Sequence, residues 1–292
     1  MIDSLLPLIT ATGASVLNQI PGLLVAAAGF TVLGFVTHSK ASLGPWWKKP
    51  DLITDLLYCF LLPAFTSYAR LTFLILGSAL ITGVLGGGTV ESYLTQGRGI
   101  FASWPFWAQM VAYLLLSDVM LYWTHRIFHD DKLWRYHAIH HSSEHLDWLS
   151  AFRFHPVNII FHSVLVDCIL LLAGIAPQVL VMLVPFQLFM SGFVHADTDW
   201  DLGPLRGVIA SPVFHRWHHT DVARGGSMNF APTFPVIDMM FGTYYMPKGV
   251  VPDHFGVDDP DFPKGFEQQL LYPFRTATPL EAVTPAETGK SG

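Results

Sequence analysis

The chain has 292 residues, of which 51% are hydrophobic and 13% are charged, and its formal net charge is −6. A soluble domain usually carries about a quarter charged residues, so this composition and a mean hydropathy of +0.41 exclude an ordinary soluble domain and predict an integral membrane protein. The negative net charge leaves no basic stripe, which argues against nucleic-acid binding.

The N-terminal part of the chain alternates apolar runs with short polar segments. Residues 5–20 are apolar but interrupted by Thr, Gly and Asn, so their role stays open, whereas 22–36 is the first predicted span. The run 52–65 is short and contains Pro63, which predicts a half-inserted or interfacial helix, with a full span as the alternative. Residues 71–85 are the second predicted span, ended by three glycines.

Three further apolar runs follow. Residues 106–124 predict a third span, and 157–175 with 177–194 predict a hairpin that crosses the membrane and returns. The segment 126–153 between them is polar and holds four arginines and lysines, which the positive-inside rule places in the cytoplasm. The predicted fold is therefore an all-α integral membrane bundle of about four to five spanning helices with a cytoplasmic histidine-rich helical cap.

Histidines occur in three clusters with helical spacing. The patterns are HX3H, HXXHH and HXXHH, formed by His125 and His129, by His137, His140 and His141, and by His215, His218 and His219. Residues three and four apart share a helical face, and neutral imidazole is the commonest metal ligand in proteins. The predicted hairpin returns His195 to the side of the other clusters, so His195 and His155 are plausible additional ligands.

This set of ligands exceeds what one ion needs, since a closed structural zinc site uses about four. Two ions are predicted, and imidazole-rich sites suit Zn, Cu, Fe or Ni. Each ligating imidazole also needs an acceptor that fixes its tautomer. The candidates for this role are Asp118, Asp130, Asp131, Glu144, Asp147, Asp221 and Asp238.

His145, four residues after His141, is a further candidate ligand or supporting group, and Asn229 could serve the site or a turn. His162 lies inside an apolar run and is predicted to be a buried, hydrogen-bonded histidine.

At these residues the sequence closely resembles the fatty acid hydroxylase / sterol desaturase superfamily of membrane di-iron oxygenases. The resemblance covers residues 112–246 and is carried by DVMLYWTHRIFHDDKLWRYHAIHHSSEHLDWLSAFRFHP, FVHAD, SPVFHRWHHT and FPVIDMMFGTYY. It implies a division into an N-terminal membrane region (1–105), a catalytic domain (106–246) and a partly disordered C-terminal extension (247–292).

The resemblance also implies a ligand set. It contains the eight histidines of the three boxes and His195. Some relatives have a further histidine four residues before the counterpart of His195, where this chain has Ser191. Either His155 supplies a tenth ligand, or the site has an open position.

The implied function is an O2-dependent enzyme with two iron ions that hydroxylates or desaturates a lipid, such as a sterol or a fatty acyl chain. Because the chain has no cofactor-binding motif for a reductant, electrons would come from a separate donor of the cytochrome b5 or ferredoxin kind. A multi-pass location in a bacterial inner membrane is favoured over the endoplasmic reticulum. The alternatives are a histidine-rich metal transporter or metal-binding protein, and an inactive scaffold derived from the enzyme family.

Overall fold

The structure is a computed structural model, and it describes residues 2–37, 39–40, 42, 44–85, 97–221, 224–259 and 261–275. Side chains are not described for residues before Ile20 or for most positions from 71 to 85. The described residues form helices joined by loops and contain no β-strand. The last residues of the predicted C-terminal extension, 276–292, lie outside the described part of the chain.

Five described helices are long and apolar enough to cross a membrane, which confirms the predicted all-α bundle. Two candidate spans are parts of longer helices: Ile20–Thr37 in α1 (Ile2–Thr37) and Leu52–Arg70 in α2 (Leu52–Leu85). The short α3 (Gly99–Ala102) follows. The other three candidate spans are whole helices: α4 (Phe106–Phe128), α6 (Pro156–Ala173) and α7 (Pro177–His195). The predicted hairpin is confirmed as α6 and α7. The chain is thus a multi-pass membrane protein.

Helix α2 corrects the sequence prediction around Pro63. The sequence predicts a half-inserted helix at 52–65, with a full span as the alternative, and a separate span at 71–85. The structure agrees with the alternative, because Leu52–Arg70 is a candidate span, and one helix of 34 residues runs through both segments. A proline removes one helical hydrogen bond, yet a helix broken in lipid would expose several polar groups without water to satisfy them. The hydroxyls of Thr66 and Ser67 both donate to the carbonyl of Pro63, at 3.0 and 2.8 Å.

Helices α4, α6 and α7 pack around one apolar core. Tyr113 of α4, Val166 and Leu170 of α6, and Val179 and Leu183 of α7 are all buried there. Burying apolar side chains between helices stabilises the bundle through close packing. This packing holds the ends of α4 and α7 side by side, which brings His125 and His195 to the same end of the bundle.

Short helices form the cap at this end. They are α5 (Asp131–His141), α8 (Pro212–His218), α9 (Val236–Phe241) and α10 (Phe266–Leu271). The N-caps follow from the sequence, because Asp130 accepts from the Lys132 amide and Ser211 accepts from the Phe214 amide. Phe262 and Phe266 of the C-terminal segment pack on Tyr58 of α2 and Ile139 of α5.

The turn between α6 and α7 depends on Gly174. This residue has a φ of +124°, and a Cβ atom on it would lie 2.3 Å from the carbonyl oxygen of Arg98. Since both the backbone conformation and the space exclude a side chain, we expect Gly174→Ala to destabilise the protein by about 2–4 kcal/mol. Thermal unfolding in detergent measures this effect.

The matched control is Gly249→Ala. Gly249 also has a positive φ, of +73°, but no heavy atom lies within 4 Å of the position that a Cβ atom would take there. This variant should lose only about 1 kcal/mol. Equal unfolding temperatures for the two variants would show that the contact with Arg98 does not constrain the turn.

Candidate metal centre

Nine buried or half-buried histidines converge at the cap end of the bundle, in two groups. Within each group, one nitrogen of every ring lies within 4.8 Å of the others. The first group contains His125, His129, His137, His141 and His218, and the second contains His140, His195, His215 and His219. The nine are the eight histidines of the sequence boxes together with His195.

Each HXXHH box supplies histidines to both groups. In α5, His137 and His141 are one turn apart and face the first group, whereas His140 faces the second. At the end of α8, His218 faces the first group, and His215 and His219 face the second. The spacing therefore builds two adjacent sites from two helical turns, which explains why the histidines come in triplets.

Hydrogen bonds fix the tautomer of five of these rings. In each ring Nδ1 donates to an acceptor outside the group, so that Nε2 of the neutral ring carries a free lone pair. The pairs are His125 with the Phe230 carbonyl (2.8 Å), His137 with Asn158 Oδ1 (2.9 Å), His140 with the Arg153 carbonyl (3.2 Å), His195 with the Ser191 carbonyl (2.7 Å) and His218 with the Met228 carbonyl (2.7 Å).

The free lone pairs point at one another. Nε2 of His125 lies 3.0 Å from Nε2 of His137, and Nε2 of His140 lies 3.2 Å from Nε2 of His195. Neither nitrogen in these pairs has a proton to share, so the contact is repulsive unless a cation binds both. Two nitrogens that each lie about 2.1 Å from the same ion, with an N–metal–N angle of about 90°, would be about 3.0 Å apart. The donor set therefore fits a bound metal in each group.

Burial keeps the cap histidines neutral. It lowers the pKa of His137, His140 and His218 well below the usual value, and repulsion between neighbouring imidazoles lowers these pKa values further. The same causes lower the pKa of His129, His141, His215 and His219. Neutral imidazole is the form that binds a metal. Buried nitrogens without a hydrogen-bond partner remain on four of the clustered rings: His129 (Nε2), His215 (Nδ1), His218 (Nε2) and His219 (Nδ1).

His155, predicted as a possible tenth ligand, lies outside both groups. Its Nδ1 accepts from the Val157 amide at the start of α6, and its Nε2 donates to the Leu270 carbonyl at 3.2 Å. Both nitrogens are therefore used, and the structure does not support the predicted role. His145 also lies outside the groups, on the wall of a separate cavity of about 480 Å³.

The predicted carboxylate acceptors are replaced by backbone carbonyls and Asn158 in these five hydrogen bonds. Asp118 accepts instead from the Phe234 amide at 2.8 Å, and Asp238 accepts from the amides of Phe230 and Ala231. Asp238 thus supports His125 indirectly, since Phe230 provides the acceptor for its Nδ1. Sequence reasoning missed Asn158, because a single amide inside an apolar run carries no recognisable pattern.

Asn229 locks the segment that provides two of these carbonyls. It lies between Met228 and Phe230 and has a φ of +60°. Its side-chain Nδ2 donates to the backbone carbonyls of Phe214 and Tyr245. Its side-chain oxygen also accepts from the Tyr245 amide at 2.7 Å. Asn229 is thus a structural support for the acceptors of His218 and His125.

We expect Asn229→Gly to weaken metal binding about 10-fold, the low end of the effect of removing a group that orients ligands. Glycine tolerates the positive φ, so the variant removes the hydrogen bonds without adding strain. Competition with a chelator measures the affinity. Gln268→Ala, which removes an exposed amide on α10, is the control, and equal affinities for the two variants would contradict the assigned role.

A cavity of about 370 Å³ lies within the bundle beside the two groups. His125, His140, His195 and His215 line it, together with His162. As predicted, His162 is hydrogen-bonded inside the bundle, with its Nδ1 3.1 Å from Thr124 Oγ1. It stands on a π-helical turn of α6, Ile160–Val164, of the kind often found at functional sites.

Comparison with known proteins gives a consistent result. An ornithine lipid hydroxylase of Rhizobium tropici is 32% identical over 172 residues, which are 59% of this chain and 52% of that protein. An alkylglycerol monooxygenase of Danio rerio is 32% identical over 49% of this chain and 31% of its own length. A delta(7)-sterol 5(6)-desaturase of Gibberella zeae is 25% identical over 56% of this chain and 45% of its own.

The chain thus spans about half or less of the length of these relatives, none of which is named as a transporter. No solved structure is significantly similar to it. The model of the fatty acid hydroxylase family matches residues 110–243, the part of the chain that holds all nine clustered histidines. This stretch, a little under half of the chain, is thus similar to the fatty acid hydroxylase family.

Proposed function

We propose that the protein is an O2-dependent oxidoreductase that hydroxylates or desaturates a membrane lipid at a site with two iron ions. The observation that carries this proposal is that two groups of imidazoles lie beside a cavity inside the bundle. Within each group, two Nε2 atoms without a proton face one another, at 3.0 Å in the first group and 3.2 Å in the second. The relatives are named for oxidation of ornithine lipids, alkylglycerols and sterols. These are all lipids, which supports the proposed substrate class.

In this proposal the histidines of the first group hold one iron and those of the second group hold the other. When bound, the two ions would use O2 and external electrons to oxidise an unactivated C–H bond. The backbone carbonyls of Phe230, Ser191 and Met228 keep the ligating rings oriented by accepting from their Nδ1 atoms. The apolar walls of the cavity admit the substrate and exclude water from the site.

The location of the site follows from the same proposal. All nine histidines lie at one end of the bundle. The turn Trp46–Lys48 and its neighbour Lys49 contact the loop after the second histidine box, since Lys49 donates to Asp147 at 2.7 Å and Trp46 packs edge-on against Trp148. Lysines beside tryptophans mark a membrane interface on the cytoplasmic side, so we place the site there, in a bacterial inner membrane. The electrons would come from a separate donor protein of the cytochrome b5 or ferredoxin kind.

The test uses the purified full chain, reconstituted with iron in lipid nanodiscs. With O2, a chemical reductant and lipid extract, mass spectrometry should detect a lipid that has gained one oxygen atom or lost two hydrogens. The product should be absent without O2. Metal flux across proteoliposomes without any oxidised lipid would contradict the proposal and favour a transporter.

A further inference from the structure

The cavity that begins at the histidine groups also reaches a charged pair deep in the bundle. Its lining includes Arg70 of α2 and Asp167 of α6. The Arg70 Nε donates to Asp167 Oδ2 at 2.7 Å, and the hydroxyl of Tyr113 in α4 donates to Asp167 Oδ1. Three helices therefore meet at one polar point within their candidate spans. Charged groups inside a membrane are costly and are most often functional.

The hydrogen-bonding capacity at this point is only partly used. Both oxygens of Asp167 have a donor, and its side chain is 7% exposed. The guanidinium of Arg70 has five N–H donors, and its bond to Asp167 is the only side-chain hydrogen bond it makes to the described residues. The Arg70 side chain is 31% exposed, and it forms part of the cavity wall. The guanidinium thus has donors without a partner among the described residues, and it belongs to a side chain that lines the cavity.

The net charge of the Arg70–Asp167 pair determines which kind of ligand group could accept hydrogen bonds from Arg70. The positive charge of Arg70 is already neutralised by Asp167. An anionic ligand would leave an unpaired negative charge in an apolar medium, which is strongly unfavourable. A neutral oxygen, such as that of a hydroxyl, an ester or an amide, would accept from Arg70 without adding charge.

The distance to the histidines sets the shape of the ligand. In α4, Tyr113 precedes His125 by 12 positions, which correspond to about 18 Å at the rise of an α-helix. In α6, Asp167 follows His162 by five positions, or about 7.5 Å, and the ring of His162 lies 5.5 Å from that of His125. A ligand that touches Arg70 and also reaches the histidines must therefore be long and thin.

We propose that Arg70 binds a neutral oxygen group of the lipid substrate and so fixes which carbon reaches the metal centre. This inference rests on the proposed function, and it adds that the oxidised carbon is remote from the polar group of the lipid. Arg70 acts as a specificity-determining residue, and Asp167 and Tyr113 hold its guanidinium in place.

Binding of three probes of equal chain length tests this proposal. Radiolabelled hexadecanol, hexadecane and hexadecanoate are titrated against the full iron-loaded chain in nanodiscs, without O2, so that no turnover occurs. We expect hexadecanol to bind at least tenfold more tightly than hexadecane and hexadecanoate. Arg70→Met should remove the preference for hexadecanol over hexadecane and leave hexadecane binding unchanged.

Because Arg70→Met leaves Asp167 buried without its partner, the double variant Arg70→Met with Asp167→Asn is measured in parallel. The neutral pair keeps the acceptor for Tyr113 and removes the unpaired charge. Arg224→Met, which removes an exposed arginine (51% exposed side chain), is the control and should bind like the wild type.

Tightest binding of hexadecanoate, unchanged hexadecanol binding in both Arg70 variants, or no saturable binding of any probe would overturn the inference. These outcomes are separate from the test of the proposed function. Selective hexadecanol binding without any lipid oxidation would contradict the oxidoreductase proposal and leave the binding site standing. Lipid oxidation with no effect of Arg70 on binding would contradict the binding site alone.

Discussion

Replacing His137 with alanine should abolish lipid oxidation and remove bound iron. Nε2 of His137 lies 3.0 Å from that of His125 and 3.2 Å from that of His141, so this ring is central to the first group. Loss of a group that merely orients a ligand costs about 10–100-fold in metal affinity or activity. Loss of the ligand itself should therefore reduce turnover by more than about 100-fold, measured as product formed per chain at saturating O2.

His155→Asn is the matched control for this prediction. His155 lies outside both groups and accepts from the Val157 amide at the start of α6. Asparagine is also a good N-cap, so the variant preserves the helix start and removes the imidazole. Iron content and turnover should stay within about twofold of the wild type. Loss of iron in His155→Asn, or its retention in His137→Ala, would refute the assignment of ligands from geometry.

Asp55→Ala should destabilise the protein by about 3–5 kcal/mol, the cost of removing one partner from a buried ion pair. Asp55 is fully buried and pairs with both Lys49 and Arg153. Burial lowers the pKa of Lys49, but Asp147 and Asp55 outweigh this effect, and its pKa is raised. The lysine thus stays charged in the folded protein, and the variant would leave it with an incomplete set of partners.

The effect should extend to the metal centre. Arg153 donates to Asp55 at 2.6 Å, and its own backbone carbonyl is the acceptor for His140. We therefore expect a lower unfolding temperature in detergent together with weaker iron binding at the second group. Asp253→Ala, at an 80% exposed carboxylate paired with Arg224, is the control and should change stability by less than about 1 kcal/mol. Equal stabilities for the two variants would contradict a supporting role for the buried network.

The histidine spacing was enough to predict that the imidazoles of the boxes converge, because the helical period dictates which of them share a face. The division of each HXXHH box between two groups was not predictable, since it depends on how α5 and α8 face one another. His155 shows the limit of counting ligands. It directly precedes Pro156, and proline is common in the first turn of a helix, so its place in the sequence also fits the helix start that the structure shows.

Two other features were hidden for different reasons. The acceptors of four of the five fixed histidines are backbone carbonyls, and any residue type can provide a carbonyl. The continuity of α2 through Pro63 departs from the prediction because proline breaks helices more readily in water than in lipid. In lipid, the cost of unsatisfied backbone groups on both sides of a break favours a continuous helix.

The number of iron ions per chain tests the central claim most directly. The full chain is purified in detergent after expression with iron, and metal is quantified by mass spectrometry against protein concentration from amino-acid analysis. Two histidine groups with facing lone pairs predict two ions per chain. A maximum of one ion, or no bound metal in protein that is folded, would contradict it.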